Sequence, residues 1–203
     1  MIINQISFCN EGYVHCHSRF YSALDILSHN NNYIFTRGIN VLRGEIDSGI
    51  WATSYLLSMY HSERKNMMLF DDDVVIVNGE IVGLDVLSKD FCYLDPIYPL
   101  FAAKKTLGSA ITRALKKSSL DYTIEYIIDL FGIKPEFIER NLLQTGNEIF
   151  KAMAAIGYCC GKQGFCFPWL SKRRFDGYHA NISWLLDRLN SLDTIVILPL
   201  DKE

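Results

Sequence analysis

No stretch of the 203-residue sequence reaches the roughly 18–20 uncharged apolar residues of a membrane-crossing helix, so any role at a membrane has to come from docking onto another protein's helices. Long basic runs are missing too. The 20 lysines and arginines against 23 aspartates and glutamates give a formal charge of -3. A surface that neutralises many phosphates is therefore not expected, and nucleic acid is excluded as an expected partner. With 5 prolines, no low-complexity tract and no internal repeat, nothing marks a linker. The first ten residues lack both a basic stretch and an apolar core of the secretory kind. The cysteines Cys9, Cys16, Cys92, Cys159, Cys160 and Cys166 are scattered, and the expectation is a reducing, cytoplasmic setting.

What is present suffices for a packed core. Apolar residues make up 49% and charged residues 21%, the balance of a globular protein, and residues 1–203 read as one domain. Ile2 to Phe8 and Gly12 to Phe20 are strand candidates around the Asn10-Glu11-Gly12 turn. Gly38 to Gly44 is a β-rich run, and Ile50 to Tyr60 sets Ile50, Leu56, Leu57 and Tyr60 on or near one helical face. Asn78-Gly79 between apolar runs predicts a hairpin over Val74 to Val82. Phe91 to Leu94 is a short strand stopped by Asp95-Pro96. Helical spacing follows in Leu107 to Lys117, Leu120 to Phe131, Lys134 to Leu143, Glu148 to Tyr158 and about Ala180 to Leu192, with a buried strand over Thr194 to Leu198. This order reads as an α/β domain.

Between the β-rich run and the first helix lies Gly44-Glu45-Ile46-Asp47-Ser48-Gly49-Ile50-Trp51. It resembles the phosphate-binding loop G-x-x-x-x-G-K-[ST], in which backbone amides at a helix N-terminus cradle phosphates while the lysine and hydroxyl serve the phosphates and Mg²⁺. Both glycines are kept, but Ile50 stands at the lysine position and Trp51 at the hydroxyl position. Taken alone, the segment is also compatible with a plain strand-to-helix turn of an unrelated α/β fold. Four later segments follow in a fixed order: Phe91-Cys92-Tyr93-Leu94-Asp95-Pro96, Lys104 to Ile111, Gln144-Thr145-Gly146-Asn147-Glu148, and Gly164 to Ser171. In this order the parts resemble the ATP-binding cassette of ABC transporters over nearly the whole chain.

The resemblance implies a P-loop NTPase-like ABC ATPase fold. Its mixed and parallel sheet core would carry an N-terminal antiparallel β subdomain and a helical subdomain at about 96–158, with the strands near Phe165 and Ile195 flanking the P-loop strand. Asp95 takes the place of the glutamine that reaches the metal and couples to the membrane partner. Gln144 to Glu148 resembles the signature L-S-G-G-[QE], with one glycine lost; in the family that loop binds the γ-phosphate held by the opposite subunit. Pro168 and Trp169 fall about where the acidic Walker B residues belong. Phe175-Asp176 is similar to the Leu-Asp of the D-loop, one residue further along. The switch histidine is absent from Ile197-Leu198-Pro199-Leu200-Asp201.

Five catalytic roles are thus replaced, and Glu45 and Asp47 add negative charge to the loop. Phosphoryl transfer depends almost wholly on positioning and electrostatics. The resemblance therefore implies an ABC-type ATP-binding subunit without hydrolysis, with no catalytic residues, no metal and no cofactor, while weak binding of ATP with Mg²⁺ through the backbone of Gly44 to Gly49 stays open. It would act as a structural or regulatory partner of a permease or of an active ATPase subunit. The expected partners are an integral-membrane permease and either a second copy or a competent ABC ATPase, and the expected location is cytoplasmic, peripheral at the inner face of the membrane. Two alternatives stand beside it: an active transport ATPase completed by a partner, and a stand-alone binding protein whose former nucleotide cleft is lined by Trp51 and Trp169.

Other candidate groups read as structural. His15 and His17 share one strand face while Cys16 faces the other, and with Cys9 they match no zinc spacing, so no metal is expected. The vicinal Cys159-Cys160 pair is expected as free thiols. Tyr13 or Tyr21 is a candidate for the aromatic that stacks on adenine in the family, against the plainer reading of a core tyrosine. Lys172-Arg173-Arg174, beside the Walker B position, is a candidate contact for a partner or an anionic head group, against the plainer reading of a solvated loop.

Overall fold

The structure, a computed structural model, describes residues 2–10, 14–17, 24–27, 31–45, 48–58, 74–96, 100–101, 106–118 and 120–202. Strand β1 (Gln5–Asn10) runs antiparallel to β4 (Asn31–Thr36) on one side and to β6 (Val74–Val77) on the other, and β7 (Glu80–Val82) closes a hairpin on β6. Alternation sorts the faces: Ile6, Phe8, Phe35, Val75 and Val77 are buried, whereas Ile34 and Ile81 face outward. The turn Asn78-Gly79 has φ of 52° and 88°, the left-handed pair that a two-residue hairpin demands. Asn78 also clips the start of the chain, because its Oδ1 accepts from the amides of Asn4 and Gln5 and its Nδ2 donates to the Ile2 carbonyl. Strands β2 (Val14–His17) and β3 (Leu24–Leu27) form a separate antiparallel pair. Neither β3 nor β4 is legible in the sequence, since Asn31 and Asn32 read as loop until β1 supplies the ladder.

Beyond Arg37 the chain enters a parallel sheet in the order β5 (Gly38–Arg43), β10 (Ile195–Leu200), β9 (Gly164–Cys166), β8 (Phe91–Tyr93). The corner is held by the Arg37 guanidinium, 2.7 Å from the Asp193 carboxylate. The expectation that the strands near Phe165 and Ile195 both flank the P-loop strand is corrected here. β10 pairs with β5, Gly38 opposite Ile195 through Arg43 opposite Leu200, and β9 lies on the far side of β10. The burial patterns explain the order: all six residues of β10 are buried, as a central strand requires, whereas β5 exposes every second residue and suits an edge.

Helix α1 (Ile50–Ser58) packs on β8, β9 and β10, and α2 (Leu84–Asp90), unforeseen from the sequence, packs on α1. Among the described residues between β8 and β9 the regular structure is helical: α3 (Leu107–Leu115), α4 (Ile124–Leu130) and α5 (Ile149–Cys159), with α3 and α5 in contact. Helix α6 (Lys172–Ser191) lies on β10, β5 and α5. Three expected helix limits change. Lys134 to Leu143 is two one-turn 3-10 segments, Pro135–Phe137 and Leu142–Gln144, the second opened by a capping box of Asn141 with Gln144 that restarts the chain. Helix α4 starts at Ile124 because the Thr123 hydroxyl accepts from the Tyr126 amide. Helix α6 starts well before Ala180 because the Ser171 hydroxyl accepts from the Arg174 amide, so Lys172-Arg173-Arg174 forms a helical turn, not a loop.

One close contact in the parallel sheet requires a glycine. Phe91 lies opposite Gly164 in the β8–β9 register, and a methyl group built on Gly164 would sit 2.0 Å from two carbons of the buried Phe91 ring. Gly164→Ala is expected to lower stability by about 1–3 kcal/mol through overpacking, with Phe91→Leu recovering part of the loss. Urea midpoints of the two single variants and the double variant check it; an unchanged midpoint for Gly164→Ala contradicts it.

Candidate functional site

The carboxyl ends of β5, β9 and β10 meet at one edge of the parallel sheet, where ligands of open α/β folds bind. Gly44 emerges from β5 there with both backbone groups engaged: its amide donates to the Leu200 carbonyl at 3.0 Å, and its carbonyl accepts from Trp169 Nε1 at 3.1 Å. The loop then folds on itself. The Ser48 hydroxyl and amide both donate to the Glu45 carbonyl, at 2.6 and 3.1 Å. A methyl group placed on Gly44 would lie 2.2 Å from Ser48 Oγ and 3.4 Å from Ile50 Cδ1, so Gly44 is glycine because the loop's own side chains close over it. Gly49, with φ of 86°, makes the sharp entry into α1, and its carbonyl accepts from the Thr53 amide and hydroxyl. Ile46 and Asp47 lie outside the described residues.

The two positions that decide phosphate chemistry point inward. Ile50 is 5% exposed and Trp51 is 0% exposed, with the indole against Tyr55 at 6.4 Å between ring centroids. Trp51 therefore does not line a cleft, which corrects the expectation that paired it with Trp169. From β9 the chain continues along β10: the Phe167 amide donates to Ile197 and the Leu170 amide to Pro199, with Pro168 buried between them. Ser54 of α1 donates to the Phe167 carbonyl, tying this segment to the helix behind the loop. Trp169 thereby lies across the start of the loop.

The signature-like segment lies on another surface, ahead of α5. Thr145 is buried and its hydroxyl donates to the Leu142 carbonyl at 2.7 Å; Glu148 turns inward and accepts from the Lys134 amide at 3.0 Å. Gly146, with φ of 57°, and Asn147 remain at the surface, and neither amide donates to another described residue. They border a cavity of about 460 Å³ that Lys134, Arg140, Gln144, Glu148 and Asn181 also line. Beneath it Lys151 donates to the Gly132 carbonyl and lies 4.5 Å from the Trp184 ring. Burial lowers its pKa, against an opposing pull from Glu148.

No protein-family model matches the sequence, and no curated protein matches it. Solved structures do. A protein from Pyrococcus furiosus described as an ABC transporter ATP-binding protein superposes with a TM-score of 0.64 at 14% identity, over 98% of this chain and 92% of its own. A dimeric ATP-binding cassette in a post-hydrolysis state with ADP and Pi gives 0.62 at 11% identity, over 98% and 88%. A bacterial Atm1-family ABC exporter with ATP bound gives 0.63 at 11%, over 99% of this chain and 34% of the exporter. The fold is that of the ATP-binding cassette.

Within the cassette fold, the predicted residues fall in separate places. Gly44, Glu45, Ser48, Gly49, Ile50 and Trp51 form the strand-to-helix loop, and Asp95 follows β8 at the same sheet edge. Gln144 to Glu148 lies apart, in and before a 3-10 turn that leads into α5. Asp176 is exposed on α6 and not in a preceding loop. Tyr13 and Tyr21 lie outside the described residues, as do the side chains of Cys9, His15, Cys16 and His17. Cys159 and Cys160 are free thiols. Sequence reasoning missed three contributors: the Trp169–Gly44 hydrogen bond, and Lys134 and Arg140 beside the signature-like loop. The charges of the last two were visible, but no spacing links them to that loop. Among the described residues no helix is long and apolar enough to cross a membrane.

Proposed function

We propose that this chain is a non-hydrolysing ATP-binding-cassette subunit, a structural or regulatory partner of a competent ABC ATPase subunit that docks an integral-membrane permease at the cytoplasmic face of the membrane. The observation that carries this reading is the closed P-loop: Ile50 and Trp51 are buried where a cation and a magnesium-binding hydroxyl would face the nucleotide. Mg·ATP does not fit these residues. The loop offers no cationic side chain, the Ser48 amide and hydroxyl are spent on Glu45, and Trp169 covers Gly44.

The opposite half of a cassette site is in better order. Two uncommitted amides with Lys134 and Arg140, against the one carboxylate of Glu148, make an anion-accepting surface around the cavity, and such a surface suits a partner whose own P-loop holds the phosphate. This asymmetry favours a heterodimer over a pair of identical chains. The dimeric and exporter structures that share the fold support the partner classes. Phosphate release by the purified chain at millimolar Mg·ATP is expected to equal the buffer blank. Steady turnover that Gly49→Arg abolishes would overturn the reading.

A further inference from the structure

A second cavity, of about 210 Å³, opens beside the carboxyl ends of β5 and β10 and the first turns of α6. Its lining takes in Leu170, Asp176, Leu200 and Asp201, from the segments that resemble the Walker B end, the D-loop and the switch region, but no P-loop or signature-like residue. Its floor is apolar and fixed by the sheet. Leu170 and Leu200 are buried and bridge to each other in parallel, and the Leu170 carbonyl accepts from the Asp201 amide. The half-buried Phe175 forms a wall, with His179 edge-on against it at 5.4 Å.

The rim is charged. Arg43 closes β5, Lys172 opens α6 and Lys202 follows β10, against the carboxylates of Asp176 and Asp201. The rim thus holds three cationic side chains and two carboxylates. Lys172 and Lys202 form no ion pair with Asp176, Asp201 or any other described residue. Their charges are therefore not cancelled by contact within the rim. An apolar floor beneath a few convergent polar groups is the usual composition of a small-molecule site. The volume holds about seven waters at ~30 Å³ each, the size of a single ring or a short aliphatic body with one anionic group.

We infer that this cavity binds a small organic anion, a compact apolar body bearing one phosphate or carboxylate, with Lys172 and Lys202 holding the anionic group and Leu170, Phe175 and Leu200 covering the body. The full chain is titrated with phenyl phosphate, benzoate, benzyl alcohol and inorganic phosphate, followed by saturation-transfer NMR for the aromatic probes and by calorimetry for all four. Saturable binding is expected for at least one of the two aromatic anions, and which of them binds more tightly assigns phosphate or carboxylate as the natural group. Benzyl alcohol and inorganic phosphate are each expected to bind about tenfold more weakly or worse, having lost the charge or the apolar body. The double variant Lys172→Ala/Lys202→Ala changes two exposed residues and is expected to weaken the anion by about tenfold or more with an unchanged melting temperature. Lys134→Ala, in the other cavity, and excess Mg·ATP leave binding unchanged. The proposal is overturned by no saturable binding of either aromatic anion, by equal binding of benzyl alcohol or inorganic phosphate, by equal binding to the double variant, or by loss of binding with Lys134→Ala or Mg·ATP.

Discussion

Titrated with Mg·ATP, the chain is expected to give no saturable binding at micromolar nucleotide. A charge-assisted hydrogen bond contributes about 1.5–3 kcal/mol. Losing two or three, from the lysine and metal positions now held by Ile50 and Trp51, weakens affinity by roughly two to six powers of ten at ~1.4 kcal/mol per tenfold. The closed loop adds to this, since the Ser48 amide and the Gly44 carbonyl already have partners. Calorimetry gives one measurement. Tryptophan emission gives another, with half-buried Trp169 as reporter because its indole donates to Gly44 and any nucleotide entering the loop has to displace it. A saturable emission change at micromolar nucleotide that disappears in Trp169→Phe would show that the loop still opens and binds.

The second large effect concerns stability. Trp51→Ala is expected to cost about 3–5 kcal/mol, the usual range for truncating a fully buried aromatic in a core that relaxes only partly. In a chain of this length 1 kcal/mol shifts the melting temperature by about 2–4 °C, so a fall of roughly 6–20 °C should be seen by calorimetry. Trp51→Thr, which writes the magnesium-binding hydroxyl back into the sequence, is expected to be no better tolerated, because it places a hydroxyl in a fully buried site and leaves most of the indole volume empty. A change within about 0.5 kcal/mol in either variant would place the indole at a surface, as a residue lining a ligand cleft would be.

Both predictions depend on a distinction that the sequence does not make. Gly44 and Gly49 with a strand before and a helix after are local facts, decided within a few residues by left-handed φ at Gly49 and the apolar run that follows. The same is true of the hairpin at Asn78-Gly79 and of α5, whose run rich in Ala, Met and Ile without an internal proline favours a helix locally. The replacement of Lys by Ile50 is likewise readable in one dimension. Whether Trp51 lines an open cleft or fills the core is not, because an indole after a glycine is compatible with either.

The sequence by itself determined the α/β class, the position of the loop, the hairpin, most helices and the absence of the catalytic side chains, since each is set by backbone preference or residue identity over a short span. Only the tertiary structure decided the order of the parallel strands, the burial of Trp51, the closing of the loop and the grouping of Lys134 and Arg140 with Gly146 and Asn147. The physical reason is range. β10 lies between β5 and β9 through a ladder joining residues 38–43 to residues 195–200, and Trp169 reaches Gly44 across 125 residues of sequence. Contacts of that span form when the whole core excludes water at once, and no window of neighbouring residues carries their record.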